Sequence, residues 1–115
     1  MASYRLTAQR RKQVEIAQTK KHWQQAQNLA QQAATFLRKN YGVETVILFG
    51  SAIERDRFHL TSDLDLAISE LPPEQFFTAV AQLQDFSPNF KVDLIQLEHC
   101  QESLRKAILA EGRFL

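Results

Sequence analysis

Three strand-length apolar runs, residues 43–49, 64–68 and 91–97, commit this chain to a fold built around a β-sheet. Each is rich in β-branched and aliphatic residues and reads as a buried strand. Acids intrude on two of them: Asp63-Leu64-Asp65 opens the second, and Asp93 lies inside the third. Strand alternation sends Asp63 and Asp65 to one face and Leu64 and Leu66 to the other. The same alternation buries Val92 and Leu94 and leaves Asp93 on the opposite side. Aspartate is disfavoured inside strands. Neighbouring carboxylates also repel and raise each other's proton affinity unless a cation lies between them.

The segments between the runs read as helices and turns. Only three glycines and three prolines occur, so each acts as punctuation. Residues 7–40 contain neither and are rich in Gln, Ala, Lys and Arg, all good helix formers. There Trp23, Ala26, Ala30, Ala33 and Leu37 recur at helical spacing as one apolar stripe. Gly42 is placed to stop the helix as a left-handed cap. The more polar stretch from Arg10-Arg11-Lys12 to Lys20-Lys21-His22 reads as a solvated helix face or a partly frayed extension.

After the first strand, Gly50-Ser51 forms a turn, and residues 52–57 suit a short helix with Ser51 near its N-cap. Pro73 suits the first turn of a helix over residues 73–83 that buries Phe76, Phe77, Val80 and Leu83. A last helix over residues 100–110 turns Leu104, Ile108 and Leu109 inward and ends near Gly112. The expected fold is therefore α/β (α+β), a small mixed sheet with flanking helices. It divides into a helical segment, residues 1–42, packing on a core of residues 43–115.

Composition narrows the function classes. A chain of 115 residues suits one domain. Net charge of +1 supplies no field to recruit nucleic acid or an anionic membrane. No apolar run approaches a membrane span, and the first residues lack a signal-peptide core. The single Cys100 excludes an internal disulfide and, with no leader, points to the cytoplasm. His22, His59 and His99 lack the spacing of a zinc site.

Gly50-Ser51 can bring backbone N–H groups close to a phosphate, because no Cβ intervenes at the glycine. A simple capping turn would have the same sequence. Asp63 and Asp65 supply the hard oxygen ligands that Mg²⁺ prefers, alongside phosphate oxygens and water. Asp93 adds a third ligand or a proton acceptor if its strand neighbours the second. The structural alternative for Asp93 is a salt bridge with Lys91.

Taken together, Phe49-Gly50-Ser51, eleven further residues, Asp63-Leu64-Asp65-Leu66 and a later Asp93 resemble the signature of the DNA polymerase β nucleotidyltransferase superfamily. The small size resembles its minimal members, the MntA-type antitoxins paired with HEPN-domain toxins. The resemblance implies that Gly50 and Ser51 hold the β and γ phosphates of ATP. It implies that Asp63, Asp65 and Asp93 are catalytic and bind two Mg²⁺ ions, Asp93 also activating the acceptor hydroxyl. The expected reaction moves AMP from ATP to a hydroxyl on a partner protein, a HEPN toxin. A homo- or hetero-oligomer is compatible with this reading, and nucleic acid is not an expected partner. Relatives often carry arginine directly after the Gly-Ser and again two residues later, where this chain has Ala52 and Glu54. Arg55 or Arg57 would then supply the phosphate-facing charge. Two other readings stay open: a non-catalytic module that masks a partner, and a transferase acting on RNA ends or a small molecule.

Overall fold

The computed structural model describes residues 2–60, 62–69 and 71–115; in the first helix, side chains are described from Lys12 onward, residue 15 excepted. The chain runs α1 (Ala2–Tyr41), β1 (Val46–Phe49), two 3₁₀ turns (Gly50–Ile53 and Arg55–Arg57), β2 (Leu64–Ile68), α2 (Pro73–Gln84), β3 (Val92–Gln96), α3 (Glu102–Glu111) and β4 (Arg113–Phe114). Forty helical residues at 1.5 Å each make α1 about 60 Å long. That sets the longest dimension of the molecule, 61 × 30 × 18 Å.

Among the described residues, α1 joins the core through its second half. Ala26, Ala30, Ala33 and Leu37 are buried as their spacing predicts, with Leu29 and Ala34 beside them. Val14 and Ile16, further back, are exposed. Small alanines let the helix lie close to the sheet. Gly42 ends it at φ +68°, its N–H donating to the Arg38 carbonyl at 3.1 Å.

The sheet is mixed, in the order β3-β2-β1-β4. β1 runs antiparallel to β2 and β4, while α2 carries the chain across to place β3 parallel to β2. Its two faces are covered unequally. Val46, Leu48, Leu64, Leu66, Ile68, Val92 and Leu94 point into the large core beneath α1 and α2. Ile47 and Ala67, one residue out of step, meet Ile108 of α3 and Leu97 in a smaller cluster. At Gly112 a Cβ would collide with Ile47 Cγ2 and the Ile108 carbonyl, so α3 turns into β4 against the sheet itself.

Several local expectations need correction. The short helix expected over residues 52–57 is two 3₁₀ turns, and the first begins at Gly50 with no side-chain cap, so Ser51 is not its N-cap. Phe77 is 79% exposed. The buried stripe of α2 runs through Phe76, Ala79, Val80 and Leu83, and Phe77 lies about 100° around the helix from it. Leu104 and Leu109 are also exposed, leaving Ile108 as the inward residue of α3. β4 was not anticipated. Its two residues carry no periodic signal, and only pairing with β1 reveals it.

Candidate active site on the open face of the sheet

Strand register brings two of the three acids together. Asp65 pairs with Asp93 across the parallel β2–β3 ladder, and Phe49 pairs with Asp65 on its other side. Neighbouring strands lie about 4.8 Å apart, so the two carboxylates stand side by side on the face α3 leaves open. Asp63 lies one residue before β2 rather than within it, and is half-buried. The Leu64 N–H donates to the Lys91 carbonyl at 2.9 Å, which ties the entry of β2 to the entry of β3. At the same edge Gln84 accepts from the Val92 N–H at 3.2 Å and donates to the Phe90 carbonyl at 3.3 Å, fixing where β3 begins.

Gly50 closes the site from the β1 side. Its φ is +77°, a conformation that glycine adopts freely. A Cβ at this position would collide with Asp65 Oδ2. The phosphate-turn candidate and the carboxylate row are thus in direct contact, through a gap that only glycine leaves.

The electrostatics follow from this crowding. The Asp65 carboxyl is raised to about 6, first by burial and then by the charges of Asp93 and Asp63, with Lys91 pulling the other way. Lys91 Nζ stands 3.8 Å from Asp93 Oδ1, so the structural alternative for Asp93 is present as a contact. Lys91 is mostly exposed and Asp93 partly so, and such a solvent-screened pair contributes little. It leaves the negative charge around Asp65 unbalanced.

Among the described residues, no three His, Cys, Asp or Glu side chains are gathered closely enough to enclose a metal ion by themselves. Mg²⁺ does not require such a cage. It is usually held by one or two carboxylates, with substrate phosphates and waters completing the shell. Hard oxygens side by side on Asp65 and Asp93, an acid nearby at Asp63 and uncompensated charge at Asp65 together fit that ion.

The two candidate arginines part company. Arg57 lines a cleft of about 390 Å³ with Phe49, Gly50, Ile53 and Glu54 on one side and Leu104 and Ile108 of α3 on the other. Arg55 lines a separate groove with Lys12, Lys20 and His59 beside α1. Arg57 thus shares a cavity with Gly50, and Arg55 lines a different one. Ser51 follows Gly50 in the 3₁₀ turn and is half-buried.

Sequence reasoning missed the support beneath this turn. The Trp23 indole N–H donates to the Ala52 carbonyl at 3.0 Å, and the Gln27 amide donates to the same oxygen at 2.7 Å. Their i, i+4 spacing on one helix face was the available signal. Nearby, His22 stacks on Phe90 at 4.2 Å and on Phe58 at 5.4 Å. Burial lowers its proton affinity, and among the described residues its Nε2 has no hydrogen-bond partner.

Comparison with known proteins agrees with the architecture. The family described as polymerase beta, nucleotidyltransferase, matches residues 31–115. No curated protein matches the chain by sequence. Among solved structures, a toxin–antitoxin crystal structure with AMP-PNP superposes with a TM-score of 0.63 at 22% identity, covering 74% of this chain and 70% of that one. A MntA–HepT toxin–antitoxin crystal structure gives 0.58 at 21%, covering 76% and 69%. A structure of the tri-AMPylated Shewanella oneidensis HEPN toxin in complex with MNT antitoxin gives 0.59 at 20%, covering 77% and 70%. At these identities the likeness establishes the fold. Among the described residues no helix is long and apolar enough to cross a membrane.

Proposed function

The chain belongs to the polymerase beta nucleotidyltransferase family, and from that premise we propose that it transfers AMP from ATP to a hydroxyl on a HEPN-type partner, as the antitoxin of a toxin–antitoxin pair. One observation carries the reading: Asp65 and Asp93 stand in register on the open face, and Asp65 abuts Gly50 with no room for a Cβ. The structural neighbours that contain AMP-PNP or an AMPylated toxin support the choice of donor and acceptor.

In this reading Gly50 and Ser51 hold the β and γ phosphates, and Arg57 faces them from the cleft wall. Arg55, in its separate groove, has no part in it. Asp63, Asp65 and Asp93 would hold two Mg²⁺ ions, which when bound offset the negative charge of the triphosphate and of the departing pyrophosphate. Asp93 accepts the proton of the acceptor hydroxyl. The acceptor oxygen forms a bond to the α-phosphorus as the bond from that phosphorus to the bridging oxygen breaks, and pyrophosphate leaves. The acceptor surface in this reading comes from the partner. The cytoplasm, with its ATP and reduced thiols, suits the free Cys100.

The test incubates the protein with labelled ATP, Mg²⁺ and a HEPN partner. Label should move to the partner, and the Asp63→Asn plus Asp65→Asn double variant should abolish that transfer. Tight partner binding with no transfer from the unaltered protein would leave a masking role and refute the catalytic one.

A further inference from the structure

We infer that Trp23 and Gln27 are positioning residues for the phosphate-binding turn, holding it from α1 through the Ala52 carbonyl. The inference rests on the proposed triphosphate site and adds a part of the chain that the family match, which begins at residue 31, does not include. Ala52 is fully buried, and its carbonyl accepts two side-chain donors, at 3.0 Å from Trp23 and 2.7 Å from Gln27. A carbonyl has two lone pairs, so both are used. Gln27 is itself oriented, because its Oε1 accepts a hydrogen bond from Arg113 of β4.

The consequence is directional. In a helical turn the carbonyls point toward the C-terminal end and the N–H groups toward the N-terminal end. Pinning the Ala52 carbonyl to α1 therefore aims the Ser51 N–H away from α1, while Gly50, at φ +77°, joins this anchored turn to β1. Gly50 in turn meets Asp65, so the anchored turn abuts the carboxylate row. A four-residue 3₁₀ turn has little rigidity of its own. Both anchors come from distant sequence, 29 and 25 residues away. Holding the turn this way acts on bound and reacting phosphate alike, so the expected loss lies in ATP affinity rather than in turnover.

Trp23 is the only tryptophan, so the protein gives a single indole N–H resonance. Titrating ATP with Mg²⁺ into the unaltered protein should shift that resonance at saturation. The Trp23→Phe plus Gln27→Leu double variant should bind ATP with Mg²⁺ about tenfold more weakly, the size expected for losing such hydrogen bonds. Leu37→Ala, which damages α1 packing away from the turn, should lower the melting temperature and leave ATP affinity unchanged. An unmoved indole resonance at saturating ATP, or a folded double variant with unchanged affinity, overturns the inference while sparing the triphosphate site. If the double variant does not fold, the indole titration alone decides. An unaltered protein that binds no ATP overturns both.

Discussion

The two faces of one small sheet are made from the same strands and have opposite characters. Toward α1 and α2, Leu64, Leu66 and Ile68 are fully buried. On the other face, a single step along β2, Asp65 stands beside Asp93 where α3 does not reach. The first face supplies cohesion by removing aliphatic surface from water. The second accepts electrostatic discomfort, because carboxylates are crowded against each other and against Gly50. Parity along three short strands therefore separates what stabilises the protein from what it does.

The largest effect should come from the open face. Asp65→Asn should cut nucleotidyl transfer by at least about a thousandfold, ~4 kcal/mol of barrier, while the protein stays folded. Initial rates of label transfer, read beside circular dichroism, check both halves of that statement. On the closed face, Leu66→Ala should cost about 3 kcal/mol of stability by leaving a cavity. Denaturant unfolding of the variant measures it. A loss below about 1 kcal/mol would mean that this face repacks and is not the main source of cohesion.

Gly50→Ala tests the contact between the faces' edge and the site. The φ of +77° and the collision with Asp65 Oδ2 should together destabilise the protein by about 2 kcal/mol. Mg²⁺ should also cease to raise its melting temperature, because the displaced carboxylate no longer stands beside Asp93.

The smallest effect has the least expected sign. Asp65 is raised from 3.8 to about 6 in the folded protein, so ionising it costs folding free energy as pH rises through that range. Its half-exposure to solvent limits the cost to about 1 kcal/mol. Without metal, Asp65→Asn should therefore be more stable than the unaltered protein at pH 7–8, and the advantage should vanish by about pH 4. His22 titrates in both proteins and cancels from the difference. Parallel melts across pH measure the gap. An asparagine variant less stable at pH 8 would contradict the crowded-carboxylate description.

Much of this was legible in the chain because it depends on local pattern. β2 spans the same five residues that alternation predicts, and Pro73 starts α2 as its geometry requires. The candidate acids were visible because aspartate inside an apolar strand is anomalous. What stayed hidden depends on pairing at a distance. That Asp65 faces Asp93 follows from the parallel β2–β3 crossover, which composition leaves undecided. Arg55 and Arg57 are equivalent as letters, and only the turn of the loop sends Arg57 to the Gly50 cleft. The anchoring of Ala52 by Trp23 and Gln27 likewise needs α1 and the loop in space together. Phe77 was misplaced for a smaller reason, since two adjacent phenylalanines cannot both lie on one narrow helix stripe.

The central claim is that the open face carries out attack at the α-phosphorus of ATP, and the position of an isotopic label tests it most directly. With a HEPN partner and Mg²⁺, ATP labelled at the α-phosphate should label the partner, whereas ATP labelled at the γ-phosphate should release its label as pyrophosphate. Asp93→Asn should suppress the first signal. Transfer of the γ-label, or α-label transfer that survives loss of both Asp65 and Asp93, would contradict the account.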